Sequence, residues 1–181
     1  GSQVYILEDK TNALTAQQAY SSGQFIKSKQ SVQNFDISNS TFWIRFSVKN
    51  LSAGQPLFLE VGNALIDTSE LFQVVHNSPV SVARYGTSFP FDERKYKYPT
   101  FLYDLDPATN ITHEYLLKIR SSEQNVMPLI IANSIGVTDS QNIKDVITGS
   151  FIGLILVMIF YNLFIFISIR DRSYLYYILY L

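Results

Sequence analysis

The sequence predicts an all-β domain, an antiparallel β-sandwich of jelly-roll type, followed by a transmembrane α-helix and the start of a second helix. Two observations carry this prediction. Short β-rich runs separated by turn residues fill residues 4–132, and no charged residue or histidine occurs from Val146 to Ile169. As a helix, these 24 residues extend about 36 Å, which is enough to cross a hydrocarbon core of roughly 30 Å.

The composition agrees with a chain that meets two solvents. Hydrophobic residues make up 47% of the 181 residues and charged residues only 16%, below the roughly 25% of a typical soluble domain. Residues 1–145 carry 12 Lys or Arg against 14 Asp or Glu, so they have no basic excess to neutralise phosphates. We therefore expect no nucleic-acid partner, and the absence of cysteine excludes disulfides and thiol chemistry.

The clearest strand runs from Thr41 to Val48. Its residues alternate, with Phe42, Ile44 and Phe46 on one face and Trp43 and Arg45 on the other. A period of two is typical of a strand that buries one face in a core.

Further strands are predicted on the same grounds, with turn clusters between them. They are Val4 to Leu7, Leu57 to Val61, Glu70 to Val75, Val80 to Tyr85, Tyr98 to Leu105, Glu114 to Arg120 and Pro128 to Ala132. One helix is predicted before the membrane, from Thr15 to Ser22, with Thr15 as its N-cap. Strands of this length and spacing favour a sandwich over a βαβ fold.

The charges that flank the apolar run predict how the chain is oriented. Arg170 and Arg172 follow it directly, and basic residues favour the cytoplasmic side. The lack of cysteine fits a bacterial envelope protein, so we expect residues 1–141 to form a periplasmic or extracellular domain on a bacterial inner membrane. Residues 134–144 are its polar connection, and residues 142–181 contain the first transmembrane helix (146–169), a cytoplasmic turn and the cut-off start of a second helix.

Three residues of the apolar run have a predicted packing role. Gly149 and Gly153 form a G-x-x-x-G pair, which allows close helix approach. The pair fits either a homodimer contact or packing within one polytopic bundle. Asn162 is a polar residue inside the hydrocarbon, so we expect its amide to bond to a neighbouring helix.

Several segments together resemble a known family of membrane receptors. The segments are Thr41-Phe-Trp-Ile-Arg45, Lys49-Asn50, Leu59-Glu-Val-Gly-Asn-Ala-Leu-Ile-Asp67, Arg94, Tyr98-Pro99, Ile119-Arg-Ser-Ser122, Phe160-Tyr-Asn-Leu-Phe164 and Arg170-Asp-Arg-Ser-Tyr-Leu-Tyr-Tyr177. Their order and spacing resemble the type 2 extracellular domain, and then the first helix, of the bacterial seven-transmembrane receptors with diverse intracellular signalling modules.

The resemblance implies a function for the chain and further segments of the receptor that this sequence does not include. It implies a periplasmic jelly-roll sensor, similar to carbohydrate-binding modules, that feeds seven helices and a cytoplasmic kinase, cyclase or related output. Five helices and any output module would lie beyond this sequence. No enzymatic activity and no cofactor are expected of the chain itself.

The best candidate for ligand binding is the strand face that carries Trp43 and Arg45. An aromatic ring beside a guanidinium can stack on a sugar and bond to its hydroxyls. The alternative is structural, with Trp43 in the core and Arg45 paired to a carboxylate such as Asp67 or Glu60.

Five other residues are weaker candidates for the ligand site. Asn63 and Asp67 lie in an irregular stretch after a strand, where an Asx turn would also explain them. Arg94, Tyr96 and Tyr98 share one side of an alternating segment. They fit an anionic glycan site or, alternatively, a lysine-protected edge strand.

Catalytic and metal sites are not predicted. His76 and His113 lie in no motif. Asp104 and Asp106 share a strand face and could hold calcium, but Asp106 is explained more simply as the start of a turn.

The sequence thus leaves three functions to compare. The first is a sensor that binds a carbohydrate-like or other small molecule and signals through the membrane helices. The second is an interaction module that docks a partner receptor or another protein. An envelope hydrolase is the third, and it would need two carboxylates facing each other across a cleft.

Overall fold

The computed structural model describes residues 4–30, 32–35, 37–51, 55–106, 108, 110–123 and 126–180. The chain divides into two compact units, Gly1–Ser134 and Ile135–Leu181. In chain order the elements are β1 (Tyr5–Asp9), α1 (Ala16–Ser21), β2 (Ile26–Lys27), β3 (Gln33–Asn34), β4 (Thr41–Lys49), β5 (Leu57–Val61), β6 (Thr68–Val75), β7 (Ser78–Tyr85), a 3-10 helix (Phe91–Glu93), β8 (Phe101–Leu105), β9 (Thr112–Arg120), β10 (Val126–Met127), β11 (Leu129–Asn133), α2 (Ser134–Ile169) and α3 (Arg172–Tyr180).

The first unit is built on two antiparallel sheets. The larger has six strands in the order β2-β1-β4-β9-β6-β7, and the smaller has three in the order β11-β5-β8. Strands β10 and β3 form a separate antiparallel pair. The predicted antiparallel sandwich followed by an apolar helix is thereby confirmed.

The main core lies between the two sheets. It is formed by the alternate residues of each strand that face inward, which is the pattern predicted for β4. Its buried members are Ile44, Phe46, Leu59, Val61, Ile66, Leu71, Tyr85, Phe101, Tyr103, Leu105, Tyr115, Leu117, Ile119 and Met127. Tyr103 also donates its hydroxyl to the Ser69 carbonyl oxygen at 2.9 Å, which satisfies this buried polar group.

A second, smaller core covers part of the outer face of the large sheet. Leu7, Trp43 and Leu116 of three neighbouring strands pack there against Ala19 of α1. The predicted helix is present, and Thr15 caps it: its hydroxyl accepts from the Gln18 backbone amide at 3.3 Å, while Gln18 accepts from the Thr15 amide at 2.9 Å. Such reciprocal capping satisfies two free amide groups at the start of a helix.

The hairpin between β6 and β7 turns at His76 and Asn77. Both residues have positive φ, at 49° and 62°, as a two-residue turn between twisted antiparallel strands requires. His76 is therefore a turn residue. The hairpin places β7 at the edge of the large sheet.

The strand predicted from Tyr98 to Leu105 begins only at Phe101, and the alternating segment before it is not an edge strand. Residues 94–100 form an irregular loop after the 3-10 helix. The Arg94 side chain donates to the carbonyl oxygens of Tyr98 and Pro99 at 3.2 and 3.5 Å. These bonds hold the loop without a strand partner.

The second unit consists of the long helix α2 and the short helix α3. Residues 134–144, predicted as a polar connection, are the first turns of α2. This helix is long and apolar enough to cross a membrane. It ends at Ile169, after which Arg170 has a φ of 60°. Asp171 then accepts the Ser173 amide at 2.9 Å as α3 begins.

Candidate ligand-binding groove

Arg45 lies on the outer face of the large sheet, where the cover provided by α1 ends. Strand register places Arg45 beside Tyr5 of β1 and Leu116 of β9. Ser47, the next outward residue of β4, pairs with Glu114. Residues two apart on a strand share a face, so Arg45 and Glu114 are diagonal neighbours on the same surface.

Trp43 is buried and belongs to the smaller core. Only 1% of it is exposed, and its ring contacts Phe72 with centroids 6.1 Å apart. The Lys118 ammonium lies 5.3 Å from the ring centroid. The indole therefore offers no accessible face to a ligand, and the structural alternative for Trp43 applies.

Arg45 and Glu114 form a partly exposed ion pair. The Arg45 Nε donates to Glu114 Oε1, and the two side chains are 34% and 26% exposed. The Arg45 partner is thus Glu114, and neither Asp67 nor Glu60. Neither terminal Nη group of Arg45 has a hydrogen-bond partner among the described residues, so both remain available to bind another group.

Aromatic side chains surround this ion pair. The guanidinium carbon of Arg45 lies 4.7 Å from the Tyr20 ring centroid and 5.9 Å from that of Phe25. The Tyr20 hydroxyl donates to Glu114 Oε2 at 3.0 Å. Burial, the hydrogen bond to Glu114 and the charge of Glu114 together raise the pKa of Tyr20. Tyr20 therefore stays protonated and remains a donor at neutral pH.

The groove beside the ion pair has a volume of about 390 Å³. It is lined by Tyr5, Phe25, Arg45, Phe46, Ser47 and Glu114. Volumes of roughly 300–1,000 Å³ are usual for small-molecule sites. The groove thus combines a hydrogen-bond donor, an acceptor and aromatic walls. The positive charge of Arg45 and the negative charge of Glu114 cancel.

Asn63 and Asp67 hold loops in place. Asn63 Oδ1 accepts the Leu65 amide at 2.9 Å, which is the Asx turn offered as the alternative. Asp67 Oδ2 accepts the Ser122 amide at 2.8 Å. Asn63 also lines a shallow apolar depression of about 650 Å³ with Leu65 and Val126.

Arg94 is enclosed by its own loop and the core. Its guanidinium carbon lies 4.9 Å from the Phe91 ring centroid and 4.6 Å from that of Phe101. Arg94 also donates to the Tyr98 and Pro99 carbonyl oxygens. Together these contacts hold the loop in place.

Tyr96 and Tyr98 are partly buried in the same loop. The Tyr96 hydroxyl donates to Asp104 Oδ1 at 2.7 Å, and its ring meets Phe58 edge-on. The Lys95 ammonium binds the other oxygen of Asp104, also at 2.7 Å. Asp104 therefore has a lysine and a tyrosine as partners, and Asp106 bonds to different groups.

No cluster of three or more metal-ligating side chains occurs in the described part of the chain.

Of the seven predicted ligand contacts, the structure places Arg45 in the groove. Trp43 lies beneath α1, and the other five lie in loops elsewhere. Sequence reasoning missed Tyr5, Phe25 and Glu114. Alternation along β9 could have placed Glu114 on an outward face, but its pairing with β4 joins residues 69 apart and leaves no local signal.

In the second unit, the predicted packing residues lie on α2. Ideal Cβ atoms on Gly149 and Gly153 meet no atom within 4 Å. The Asn162 amide donates to the Met158 carbonyl oxygen of its own helix at 2.8 Å. The expected bond from Asn162 to a neighbouring helix stays a prediction, because the amide has a second N–H and an oxygen besides this bond.

Comparisons with known families agree with this architecture. The model of the 7TMR-DISM extracellular 2 family matches residues 1–133, and that of the 7TM diverse intracellular signalling family matches residues 144–181. A search of the curated proteins gives no match.

These matches and the fold define a membrane receptor whose N-terminal β-sandwich is an extracytoplasmic sensory domain. The chain belongs to the 7TMR-DISM receptors: residues 1–133 form the type 2 extracellular domain, and residues 144–181 belong to the seven-transmembrane region. The two matched families describe the sensory and membrane regions of signalling receptors.

Proposed function

We propose that the sensory domain binds a neutral, carbohydrate-like small molecule in the groove of Arg45 and Glu114 and transmits this event through the membrane helices. The observation that carries the proposal is the ion pair itself. Its partly exposed Nη donors and carboxylate acceptors lie between aromatic rings, next to a groove large enough for one or two sugar rings.

The chemistry of the groove favours hydroxyl groups over a charged ligand. Glu114 neutralises Arg45, so an anion gains less there than at an unpaired arginine. A pair of adjacent hydroxyls can instead donate to Glu114 and accept from Arg45, and both bonds are charge-assisted. The rings of Tyr5 and Phe25 supply apolar surface for the C–H face of a sugar.

The way the chain leaves the sandwich supports transmission. Strand β11 pairs with β5 along its whole length, from Leu129 opposite Val61 to Asn133 opposite Leu57. Helix α2 begins at Ser134, the next residue. The chain thus passes directly from the last strand of the small sheet into the long apolar helix.

The alternative function is a protein-docking module with no small-molecule ligand. Exposed apolar residues near the groove favour it: Ile26 of β2 is 76% exposed and Tyr5 of β1 is 40% exposed. A partner receptor or a second copy of the chain could cover them.

A ligand screen separates the two proposals. The full chain in lipid nanodiscs is heated with a panel of neutral mono- and disaccharides, uronic acids and amino acids, and unfolding of the N-terminal domain is monitored. We expect at least one neutral saccharide to raise the unfolding temperature. If no panel member does so, and cross-linking in cells captures a protein that Arg45→Glu releases, the docking function is correct.

A further inference from the structure

A second polar cluster lies on the opposite face of the large sheet from the groove. His113 of β9 points inward, in the same direction as the core residue Tyr115, and it pairs across the strands with Val48 of β4. Gln73 of β6 and Asp106, which follows β8, complete the cluster. The His113 side chain is 17% exposed.

The amide nitrogen of Gln73 bridges the other two residues. It lies 3.2 Å from Asp106 Oδ2 and 3.1 Å from His113 Nδ1. Because an amide NH₂ group only donates, His113 Nδ1 must accept. The imidazole is then neutral, with its proton on Nε2. That atom is buried and has no hydrogen-bond partner in the part of the chain that the structure describes.

Protonation of His113 is incompatible with this arrangement. A proton on Nδ1 would face the Gln73 amide, so that two donors would meet at 3.1 Å. Asp106 Oδ2 is an alternative acceptor and lies 3.7 Å from Nδ1. This distance is beyond ordinary hydrogen-bond range, so the ring or the carboxylate must move by somewhat under about 1 Å to form the bond.

The groups around His113 favour this exchange. The Ala108 amide, followed by the Gln73 amide, holds the pKa of Asp106 below its ordinary value, so Asp106 is negative at neutral pH. Burial raises the pKa of Tyr115, whose hydroxyl accepts the Asp106 amide at 2.8 Å and stays neutral. The neighbouring Glu114 points to the other face of the sheet, where it binds Arg45.

We propose that Gln73, Asp106 and His113 form a proton-responsive switch in the sensory domain, in which protonation of His113 transfers its Nδ1 bond from Gln73 to Asp106. The ligand of this site is the proton, so the switch is separate from the groove and does not depend on the function proposed there.

The switch is connected to the link between β8 and β9. Asp106 Oδ1 accepts the Ala108 amide at 2.9 Å, so movement of this carboxylate strains or breaks that bond. A change at His113 therefore reaches the Ala108 amide through the Asp106 carboxylate.

Histidine-selective NMR on the full chain in nanodiscs tests the switch. The protein has two histidines, so ¹⁵N-labelled histidine gives two sets of ring signals, and ¹⁵N-labelled glutamine reports the Gln73 amide. On acidification, we expect the His113 ring to change from the Nε2–H form to the doubly protonated form, and the Gln73 signal to shift together with it. A His113 ring that stays neutral throughout, or a Gln73 signal that does not follow it, overturns the proposal.

Two variants assign the signals and test the role of Asp106. His76→Asn removes the exposed turn histidine and should leave the coupled transition unchanged. Asp106→Asn removes the negative partner and should move the midpoint to lower pH. An unchanged midpoint in Asp106→Asn would contradict the transfer to Asp106.

Discussion

At the residue scale, Trp43 and Arg45 differ in role although they share one face of β4. Trp43 lies beneath α1, whereas Arg45, two positions further along the strand, lines the open groove. The cover of α1, and not the alternation of the strand, decides which side chain a ligand can reach. Alternation predicted the shared face correctly, but a single strand pattern carries no information about what packs on that face.

We predict that Trp43→Ala lowers the free energy of unfolding of the N-terminal domain by about 3–5 kcal/mol, because it opens a cavity under α1. Trp43→Phe, the matched control, should cost clearly less. Urea unfolding followed by the circular dichroism of the β-sheet measures both. A loss below about 1 kcal/mol for Trp43→Ala would mean that the indole is not a core residue.

Gly86 makes the closest backbone approach of the described glycines. Its φ is 151°, and a Cβ atom there would lie 2.1 Å from the Asp67 carbonyl oxygen. The loop before β6 and the loop after β7 therefore fit together only without a side chain at this position.

We predict that Gly86→Ala destabilises the domain by about 3 kcal/mol or more, since both the backbone conformation and the contact are lost. Gly23→Ala is the control: its φ is 63°, but nothing lies within 4 Å of its Cβ position. That variant should cost about 1–2 kcal/mol. Equal losses in the same unfolding assay would contradict the close contact at Gly86.

At the scale of elements, the sequence predicted strands better than loops. The strands Leu57 to Val61 and Thr41 to Val48 show their own hydrophobic pattern, and both are present with nearly the predicted bounds. Residues 94–98 also alternate, yet they form a loop because Arg94 bonds to the Tyr98 and Pro99 carbonyl oxygens in place of a strand ladder. Pairing partners such as β4 and β9 are far apart in the sequence, so Glu114 could not be assigned to Arg45.

The turn after β8 gives a pH prediction. The Ala108 and Gln73 amides lower the pKa of Asp106, and an unfolded aspartate titrates near about 3.9. The contribution of Asp106 to stability is therefore present above about pH 4 and is lost as the pH falls through its lowered folded pKa. The unfolding temperature of the wild type should exceed that of Asp106→Asn at pH 6, and the difference should shrink below pH 4. A difference that stays constant from pH 6 to pH 3 would contradict this.

At the scale of the whole molecule, we expect the sandwich and the start of α3 to lie on opposite sides of the membrane. The apolar run is long enough to span the bilayer, and Arg170 and Arg172 follow it. The length and charge of this segment are properties of the sequence alone, which is why the helix could be predicted without tertiary contacts.

Cysteine labelling measures this topology, because the chain has no cysteine of its own. Ser78→Cys lies in β7 and Ser173→Cys in α3, and both positions are exposed. In intact spheroplasts, a membrane-impermeant maleimide should label position 78 and should reach position 173 only after lysis. Labelling of both positions before lysis would contradict a spanning α2.

The central claim is that a ligand contacts the charged pair of Arg45 and Glu114. The most direct test is calorimetric binding of the best saccharide from the screen to the full chain in nanodiscs, with Glu114→Gln compared to Glu70→Gln. Glu70 is a carboxylate of β6 that bonds to Ser81 at 2.8 Å and does not line the groove. We predict that Glu114→Gln weakens binding about tenfold or more, as loss of a charge-assisted hydrogen bond should, while Glu70→Gln binds like the wild type. Equal affinity of all three proteins would show that the ligand binds elsewhere.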